Sequence, residues 1–474
     1  MSILQVNAFE KCGGAEIVVR NLLRQYRRKG LDAHLAVGQN LSGDPDALII
    51  PRKPSRGLWY QFWRRLERQL SWLGEYKLGL RRLPRLAGQL AAPAKMLDTL
   101  RGIESFRYPG TLRLLDLPPQ RPDILHAHNL HSNYFDLRAL IWLSMKVPLV
   151  LTLHDAWLIS GHCAQSFECN RWKTGCGHCP DLSIYPPIRR DMTAYNWARK
   201  QAIYSKCRLN IATPSSWLMN RVEQSILTPA IIDARVIPNG IDLSIFKPGD
   251  RHAARQELGI PQEARVLLFA AYRVRKNPFK DYRTIRDAVA IVAQQLNGCT
   301  LLLIALGETA EPEWIGKTQI RFVSFEPDPT VVAKYYQAAD IYLHAARADT
   351  FPTTVLEALA CATPVVATAV GGIPEQIKGL DLPEAARQFS KNDTSEATGV
   401  LVNPGDAEGM ARSVVALLEK IDLMSRIADN AVKDAIRRFD LTHQCDAYLS
   451  WYETILERWN TNELIPNCPM TGDV

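Results

Sequence analysis

Short apolar runs alternate with amphipathic helical segments along most of the chain. Near the N-terminus, an apolar run over residues 3–9 is followed by helical periodicity over 15–28 and a second apolar run over 33–38. The same succession starts again at residue 265. Strands that alternate with helices are typical of parallel sheets covered by helices on both faces. We therefore predict an α/β protein.

The chain has 474 residues, which is too long for a single hydrophobic core and predicts two domains. A turn-rich segment, 236–248, lies between the two series of strands and helices and predicts the linker. We place an N-terminal domain over 1–235, a second domain over 236–440, and a C-terminal helix with a tail over 441–474.

One stretch, 348–367, combines a loop, a short helix and a buried strand. Pro352 stands where the helix should start, because its fixed φ and missing N–H suit that position. Asp349 then lies in the loop and Glu357 in the helix. A carboxylate can accept two hydrogen bonds from paired sugar hydroxyls, and a helix N-terminus attracts phosphate. The pattern suits a nucleotide-sugar, although a capping Asp349 and a solvated Glu357 would give the same spacing.

Further polar residues follow the predicted strands of the N-terminal half. Gly13 and Gly14 lie in the turn after the first strand, where glycines let backbone amides approach a phosphate or a sugar. His126 and His128 end a second strand, and His154 ends a third. Because strand carboxyl ends face the ligand crevice of an open α/β sheet, these histidines are candidates for sugar or metal contacts. Packed polar side chains are the alternative.

Residues 52–101 carry twelve basic and three acidic side chains, and this local excess accounts for the net charge of +8 of the whole chain. Six aromatic residues are interleaved with the charges: Trp59, Tyr60, Phe62, Trp63, Trp72 and Tyr76. Such a helical stretch suits the surface of an anionic membrane. A solvated insertion with buried aromatic residues is the alternative. We predict no nucleic-acid partner, because no recognition module accompanies the charge.

Four cysteines, Cys163, Cys169, Cys176 and Cys179, lie within seventeen residues. Four thiolates match the needs of a tetrahedral structural zinc site, and free thiols are the alternative. The chain has ten cysteines, and its first apolar run is too short for a signal peptide. Together these features indicate a reducing compartment. We therefore expect a cytoplasmic protein, with peripheral contact to the inner face of the plasma membrane as a further possibility.

Several motifs together resemble the retaining glycosyltransferases of family 4. They are Gly13-Gly14-Ala15-Glu16, His126-x-His128, Thr152-x-His154-Asp155, Pro238-Asn239-Gly240-Ile241-Asp242, Phe351-Pro352, Glu357-Ala358-Leu359-Ala360-Cys361, Thr363-Pro364-Val365-Val366 and Gly371-Gly372-Ile373-Pro374-Glu375. The resemblance covers nearly the whole chain except residues 52–101 and the last dozen or so. Asp349 replaces the commoner glutamate, and Ala362 replaces a common glycine.

The resemblance implies a GT-B fold, with two Rossmann-like domains facing each other across a cleft and a C-terminal helix that crosses back to the N-terminal domain. It implies retaining transfer of a hexose from a UDP- or GDP-linked donor to a hydroxyl of a glycan or lipid-linked acceptor, with no catalytic cofactor. The segment 154–180 is similar to enzymes of bacterial exopolysaccharide synthesis, including the colanic acid type. A GT-B epimerase or hydrolase and a non-catalytic GT-B scaffold are the alternatives.

The resemblance also implies roles for individual residues. Glu357 would hold the ribose, and Asp349 would orient the donor sugar. An arginine and a lysine would stabilise the departing diphosphate; the helix register identifies Lys280, and Arg273 is favoured, with Arg275 as the alternative.

Other residues would complete the site. His154 would support the transition state near the reacting carbon, with His126 and His128 in a supporting role. The remaining candidates for contact with the nucleotide-sugar are Gly13, Gly14, Phe351, Gly371 and Gly372.

Overall fold

A computed structural model describes residues 1–11, 13–51, 58–76, 83–296, 298–380 and 396–461. The chain divides into two compact units. Unit 1 comprises residues 1–212, 220–235 and those from 452 on, and unit 2 comprises 213–219 and 236–451. Within the described residues, each unit is built around a seven-stranded sheet.

The sheet of unit 1 has the strand order β3-β2-β1-β4-β5-β6-β7. Its strands are β1 (Ser2–Phe9), β2 (Asp32–Gln39), β3 (Ala47–Ile49), β4 (Ile124–Ala127), β5 (Leu149–Thr152), β6 (Leu209–Thr213) and β7 (Ile231–Val236). The helices of this part of the chain are α1 (Gly14–Arg28), α2 (Leu58–Tyr76), α3 (Leu83–Leu90), α4 (Pro93–Arg101), α5 (Ala139–Lys146), α6 (Thr193–Tyr204) and α7 (Ser216–Glu223). Strand β1 runs parallel to β2 and β4, so its carboxyl end shares one sheet edge with theirs.

The sheet of unit 2 has the order β10-β11-β9-β8-β12-β13-β14. Its strands are β8 (Arg265–Ala270), β9 (Leu301–Leu306), β10 (Glu313–Ile315), β11 (Thr318–Val323), β12 (Ile341–His344), β13 (Val365–Thr368) and β14 (Gly399–Val402). The helices are α8 (Arg251–Glu257), α9 (Tyr282–Gln295), α10 (Pro329–Ala338), α11 (Thr353–Ala360), α12 (Ile373–Gln376), α13 (Ala407–Glu419), α14 (Ile421–Phe439) and α15 (Leu441–Asn460). Only the β10–β11 pair, among the pairs of known register in the described residues, is antiparallel.

Alternate residues of β8 explain how the core of unit 2 forms. Leu268 and Ala270 belong to one buried apolar cluster, whereas Leu267 and Phe269 belong to another. Successive side chains of a strand point to opposite faces, so both faces of the sheet are covered by apolar side chains from the surrounding helices. The predicted α/β fold is confirmed.

The last helix, α15, contributes to both units. Near its start, Gln444 Oε1 accepts a hydrogen bond from the Gly240 N–H at 2.9 Å, within unit 2. In its second half, the Tyr452 hydroxyl lies 2.6 Å from Nδ1 of His126, within unit 1. The sequence-based limit before residue 441 therefore differs from the structural division, because the first half of α15 is hydrogen-bonded to the linker.

The basic insertion forms three helices, α2 to α4, in its described part. Trp59 donates its indole N–H to the Leu90 carbonyl at 2.9 Å and so ties α2 to α3. Even so, Trp59 and Phe62 remain 58% and 60% exposed, which contradicts a fully buried set of aromatic residues. The side chains of Trp72 and Tyr76 lie outside the described residues. None of the helices that could be searched is both long and apolar enough to cross a bilayer.

Candidate active site

Lys280 and Asp349 meet in unit 2. Asp281 caps α9 by accepting a hydrogen bond from the Thr284 N–H at 3.2 Å, so Lys280 stands just before the helix, where the helix register predicts it. Its ammonium group forms an ion pair with Oδ2 of Asp349 and lies 3.0 Å from Nε2 of His344. The structure thus brings together two predicted residues and adds a third, His344, which no sequence motif predicts.

The charges in this cluster are strongly coupled. Burial acts to raise the pKa of Asp349, but the charge of Lys280 and the hydrogen bond with His344 outweigh it and hold the pKa well below its usual range. Burial, together with the charge of Lys280, lowers the pKa of His344 to about 4. At neutral pH the cluster therefore holds an ammonium, a carboxylate and a neutral imidazole.

Glu357 is almost completely buried in α11. It is 6% exposed, which excludes the solvated helix position allowed by the sequence, and its Oε2 accepts a hydrogen bond from the Tyr336 hydroxyl at 2.8 Å. Burial raises the pKa of Glu357 to about 7, despite hydrogen bonds from Tyr336 and Thr353 that favour the carboxylate. Its proton can thus be gained or lost near neutral pH.

The two candidate arginines have different surroundings. Arg275 forms ion pairs with Glu308 at 2.8 Å and Glu313 at 3.6 Å. The exposed Arg273 has a left-handed backbone with φ of 57°, and its N–H is bonded to the Gly307 carbonyl at 3.1 Å. Among the contacts of the described residues, the Arg273 guanidinium has no carboxylate or hydrogen-bond partner. Arg273 is therefore the arginine that can pair with a bound anion without first leaving a carboxylate.

Gly371 and Gly372 support the loop that carries Asp349. Gly371 has φ of 59°, and a Cβ atom there would lie 1.7 Å from the Asp349 carbonyl oxygen. A Cβ at Gly372 would lie 2.0 Å from the carbonyl oxygen of Thr350. The two glycines thus permit a close backbone approach that any side chain would prevent.

Phe351 does not present its side chain at the surface. It is 6% exposed, and its ring centroid lies 5.9 Å from that of Phe439 in the core of unit 2. The Phe351 ring is therefore largely covered by protein, and its contact with the nucleotide-sugar stays a prediction.

In unit 1, His126 is a buried structural residue. Its Nε2 lies 2.7 Å from the Thr152 hydroxyl, and its Nδ1 lies 2.6 Å from the Tyr452 hydroxyl. Burial lowers its pKa to about 3. Both ring nitrogens are thus engaged inside the protein, and a supporting role for His126 stays a prediction.

His128 and His154 form a stacked pair. Their ring centroids are 5.4 Å apart, and Nδ1 of His128 lies 3.1 Å from Nε2 of His154. Burial lowers the pKa of His154 to about 4, although the charge of Asp155 opposes the change. His154 is partly exposed and neutral at physiological pH, so its ring can exchange hydrogen bonds with a sugar hydroxyl without adding charge.

A second pair, His131 and Asp155, was missed by the sequence reasoning. Nε2 of His131 lies 2.9 Å from Oδ2 of Asp155, whose other oxygen accepts a hydrogen bond from the Trp157 N–H at 2.9 Å. Burial acts to raise the pKa of Asp155, but His131 and the hydrogen bonds outweigh it and lower the pKa. The sequence signal for this pair was a third histidine, His131, in the loop after His128, together with the Asp155 of the His154-Asp155 motif.

The glycine turn borders the same region. Gly13 has extended backbone angles and directly precedes α1, which begins at Gly14. A Cβ atom at Gly13 would lie 2.2 Å from Oε2 of Glu16. Burial raises the pKa of Glu16, and the charges of His131 and Asp155 act on it as well. Gly13 therefore leaves room for the Glu16 carboxyl group beside the His131–Asp155 pair.

The four cysteines are partly buried thiols. Burial raises the pKa of Cys163 to about 12 and that of Cys176 to about 11. Nε2 of His162 lies 3.4 Å from the sulfur of Cys179. The part of the chain that the structure describes contains no group of three or more His, Cys, Asp or Glu side chains placed to hold a metal ion. As they stand, the four thiols do not form a ready ligand set, and the zinc site stays a prediction.

Two family models match the chain. The model described as Glycosyltransferase Family 4 matches residues 89–245, and the model described as Glycosyl transferases group 1 matches residues 264–420. A D-inositol 3-phosphate glycosyltransferase of Mycobacterium bovis (strain BCG / Pasteur 1173P2) is 30% identical over 378 residues, which are 76% of this chain and 69% of that protein. The chain belongs to glycosyltransferase family 4.

The subgroup of family 4 is also supported. A putative colanic acid biosynthesis glycosyl transferase, WcaC of Escherichia coli (strain K12), is 29% identical over 264 residues. The match spans 52% of this chain and 60% of WcaC, so the chain aligns with less than two thirds of that relative. The predicted resemblance to this subgroup is confirmed.

Solved structures bear out the fold. Anabaena HepE, in complex with UDP and glucose, has a TM-score of 0.56 at 17% identity, and the match covers 96% of this chain and 100% of that chain. At this level of identity the likeness concerns the fold alone. It confirms the GT-B class for this family 4 member.

Proposed function

We propose that this family 4 protein is a retaining glycosyltransferase that moves a hexose from a UDP- or GDP-linked donor to a hydroxyl of a glycan or lipid-linked acceptor. The observation that carries the proposal is the cluster of Lys280, Asp349 and His344. A cation and a carboxylate, 69 positions apart in sequence, meet at one point of unit 2. A diphosphate joined to a sugar needs such a pair, a cation for the phosphate and an acceptor for the sugar hydroxyls.

The other unit 2 residues would take the roles that the family resemblance implies. Arg273 and Lys280 would neutralise the charge that builds on the departing diphosphate, in place of a metal ion. Lys280 would then exchange part of its contact with Asp349 for a phosphate oxygen, which leaves Asp349 to orient the donor sugar. Glu357, with Tyr336 on one oxygen, would accept hydrogen bonds from the ribose. The backbone at Gly371 and Gly372 would keep the Asp349 loop in place.

Unit 1 would supply the acceptor side. His154 would contact the donor sugar near the reacting carbon, and the Gly13-Gly14 turn would offer backbone amides to the substrates. No side chain needs to act as a covalent nucleophile, because a donor phosphate oxygen can accept the proton of the attacking hydroxyl. The printed description of WcaC supports a role in bacterial surface polysaccharide synthesis. HepE, solved with UDP and glucose, supports a UDP-linked hexose as the first donor to test.

We place the reaction in the cytoplasm, with contact to the inner face of the plasma membrane. The basic helices α2 to α4 support this location, since their exposed Trp59 and Phe62 can enter the interface of an anionic bilayer. A lipid-linked acceptor would be presented at that surface.

Calorimetry with UDP-, GDP- and ADP-linked sugars tests the donor site. We expect one nucleotide series to bind the wild-type protein and to lose at least tenfold in affinity in Glu357→Ala. Absence of binding across the panel, with folded protein, would overturn the proposal in favour of a non-catalytic scaffold. Rapid consumption of the donor without any acceptor would favour a hydrolase or epimerase.

A further inference from the structure

Four side chains of unit 1 form a continuous hydrogen-bonded chain outside the residues assigned above. Asp155 Oδ2 lies 2.9 Å from Nε2 of His131, and Nδ1 of His131 lies 2.8 Å from the Ser132 hydroxyl. The Ser132 hydroxyl in turn lies 3.0 Å from the Tyr185 hydroxyl. In the tautomer that carries its proton on Nε2, His131 donates to Asp155 and accepts from Ser132. The Ser132 oxygen then accepts a hydrogen bond from the Tyr185 hydroxyl. Each group in this series therefore donates towards Asp155.

In this hydrogen-bonded series, the end formed by Asp155 and His131 is mostly buried, and the end formed by Tyr185 is exposed. The side chains of His131 and Asp155 are 10% and 19% exposed, whereas Tyr185 is 41% exposed. The Tyr185 ring contacts the His131 ring edge-on, with the centroids 5.7 Å apart. An exposed aromatic ring beside two hydroxyl groups suits a sugar, because C–H groups pack on the ring while sugar hydroxyls bond to the polar groups.

The loop that carries Ser132 is strained. Ser132 and Asn133 have φ values of 77° and 65°, in the left-handed region that residues other than glycine rarely adopt. The Tyr108 hydroxyl donates a hydrogen bond of 2.8 Å to the Asn133 side chain and helps to hold this conformation. Backbone strain of this kind is concentrated where a side chain must be aimed at a ligand.

The position in the fold agrees with a ligand site. His131 lies in the loop after β4, and Asp155 lies in the loop after β5, at the carboxyl ends of adjacent parallel strands. Ligands of open α/β sheets bind at this edge. Tyr185 is fixed from the other side, since its carbonyl accepts a hydrogen bond from the Ala164 N–H at 2.8 Å.

The carboxyl groups around these four hydrogen-bonded side chains disfavour an anionic ligand. Glu16 and Asp155 are both carboxyl groups, and both act electrostatically on Tyr185. The groups that lower the pKa of Asp155 are His131, His154 and the Trp157 N–H, and none of them is a lysine or an arginine. A phosphorylated sugar would meet these carboxyl groups, whereas a neutral sugar would meet only hydrogen-bonding partners.

We propose that Tyr185 and Ser132 bind a neutral acceptor sugar, and that the His131–Asp155 pair positions the Ser132 hydroxyl. The inference rests on the proposed function and narrows its acceptor to a neutral glycosyl residue. His131 and Asp155 are positioning residues in this scheme, since they reach the sugar only through Ser132.

Ligand-observed saturation-transfer NMR tests the site without turnover. The probes are the methyl α-glycosides of glucose, galactose, mannose and fucose, with the 6-phosphates of the first three sugars, all in excess UDP and GDP to occupy the donor site. We expect saturation transfer to at least one neutral glycoside and none to its phosphate. Tyr185→Ala should reduce the signal at least fivefold, and Tyr185→Phe and Ser132→Ala should reduce it by smaller factors.

Tyr195→Ala is the matched control, because Tyr195 is 49% exposed on unit 1 and lies outside the hydrogen-bonded chain. It should bind as the wild type does. His131→Ala should weaken glycoside binding while nucleotide affinity, measured by calorimetry, stays within twofold; a general loss of structure would weaken both. Equal binding by wild type and Tyr185→Ala, preference for the phosphates, or no signal from any glycoside would overturn the inference.

The two proposals can fail separately. Glycoside binding through Tyr185, without binding of any nucleotide-sugar, would uphold the sugar site and sink the transferase. Binding of a nucleotide-sugar without any glycoside signal would uphold the donor site and overturn the acceptor site.

Discussion

Arg273 and Arg275 lie two positions apart, yet only their environments distinguish them. Arg275 already pairs with Glu308 and Glu313, and its guanidinium lies 4.9 Å from the centroid of the Phe322 ring. The exposed Arg273 is held by its backbone alone among the described contacts. The assignment of Arg273 to the diphosphate thus gains support from the ion pairs of its neighbour.

We expect Arg273→Ala to weaken binding of the cognate nucleotide diphosphate by about 2 kcal/mol, because a charge-assisted hydrogen bond to phosphate is lost. Arg275→Ala, the matched control, should change the affinity by less than about threefold, since an arginine paired with carboxylates contributes little to binding an external anion. Calorimetry on both variants measures the difference. The assignment is reversed if Arg275→Ala has the larger effect.

The raised pKa of Glu357 makes donor binding pH-dependent. The carboxylate accepts the ribose hydroxyls and the protonated form does not, so affinity should fall as pH drops through about 7. Between pH 8 and pH 6 we expect a loss of about tenfold in wild-type affinity for the nucleotide-sugar, whose diphosphate does not titrate in this range. Glu357→Gln should bind weakly at both pH values. A flat wild-type profile would contradict the ribose contact.

The raised pKa of Glu357 also affects the free energy of unfolding, which it makes smaller at high pH, whereas donor affinity becomes greater. Because burial raises the folded pKa of Glu357 above its ordinary value, the protonated form is the one that folding favours. This contribution is complete below about pH 4.5 and is lost as pH rises through about 7. Glu357→Gln, which stays neutral, should therefore be relatively more stable than wild type at pH 8 than at pH 5.

At the scale of elements, the end of α11 is the least typical feature of the motif region. Ala362 follows the helix with φ of 60°, where family 4 members commonly carry glycine. A left-handed conformation costs a non-glycine residue roughly 1–2 kcal/mol, partly offset by the greater flexibility of glycine in the unfolded chain.

We expect Ala362→Gly to stabilise unit 2 by about 0.5–1 kcal/mol. Ala339→Gly is the control, because Ala339 also follows a helix but has φ of −77° and is buried. It should destabilise by about 1 kcal/mol or more, since it removes a buried methyl group and adds flexibility. Urea unfolding followed by fluorescence gives both values. Two changes of the same sign would contradict the strain at Ala362.

The sequence predicted the elements well where periodicity was strong. The register of α9 predicted Lys280, and the apolar runs over 3–9 and 33–38 correspond to β1 and β2. Contacts between distant segments could not be read in this way: His131 meets Asp155, and Lys280 meets His344, only through the tertiary fold. Motif membership also gives no side-chain direction, so the burial of the Phe351 ring could not be read from the sequence.

At the scale of the whole molecule, the basic helices of the insertion predict membrane binding. We expect the protein to sediment with vesicles of phosphatidylglycerol but not of phosphatidylcholine, and to be released by high salt. Replacing Trp59 and Phe62 together by serine should reduce binding about tenfold or more, because two exposed aromatic side chains can no longer enter the bilayer interface. Trp314→Ser is the control, since Trp314 is 61% exposed on β10. Equal losses in both variants would contradict a membrane face on the insertion.

The second half of α15 contributes buried side chains to unit 1. Tyr452 is buried, and its hydroxyl lies within hydrogen-bonding distance of Nδ1 of His126 and, at 3.1 Å, of the Tyr26 hydroxyl. A nonsense codon at position 452 would spare every motif and still leave these buried groups without that partner. Such an allele should therefore produce no functional protein. A reporter protein fused directly at position 452 would likewise report the location of a misfolded product and not that of the native protein.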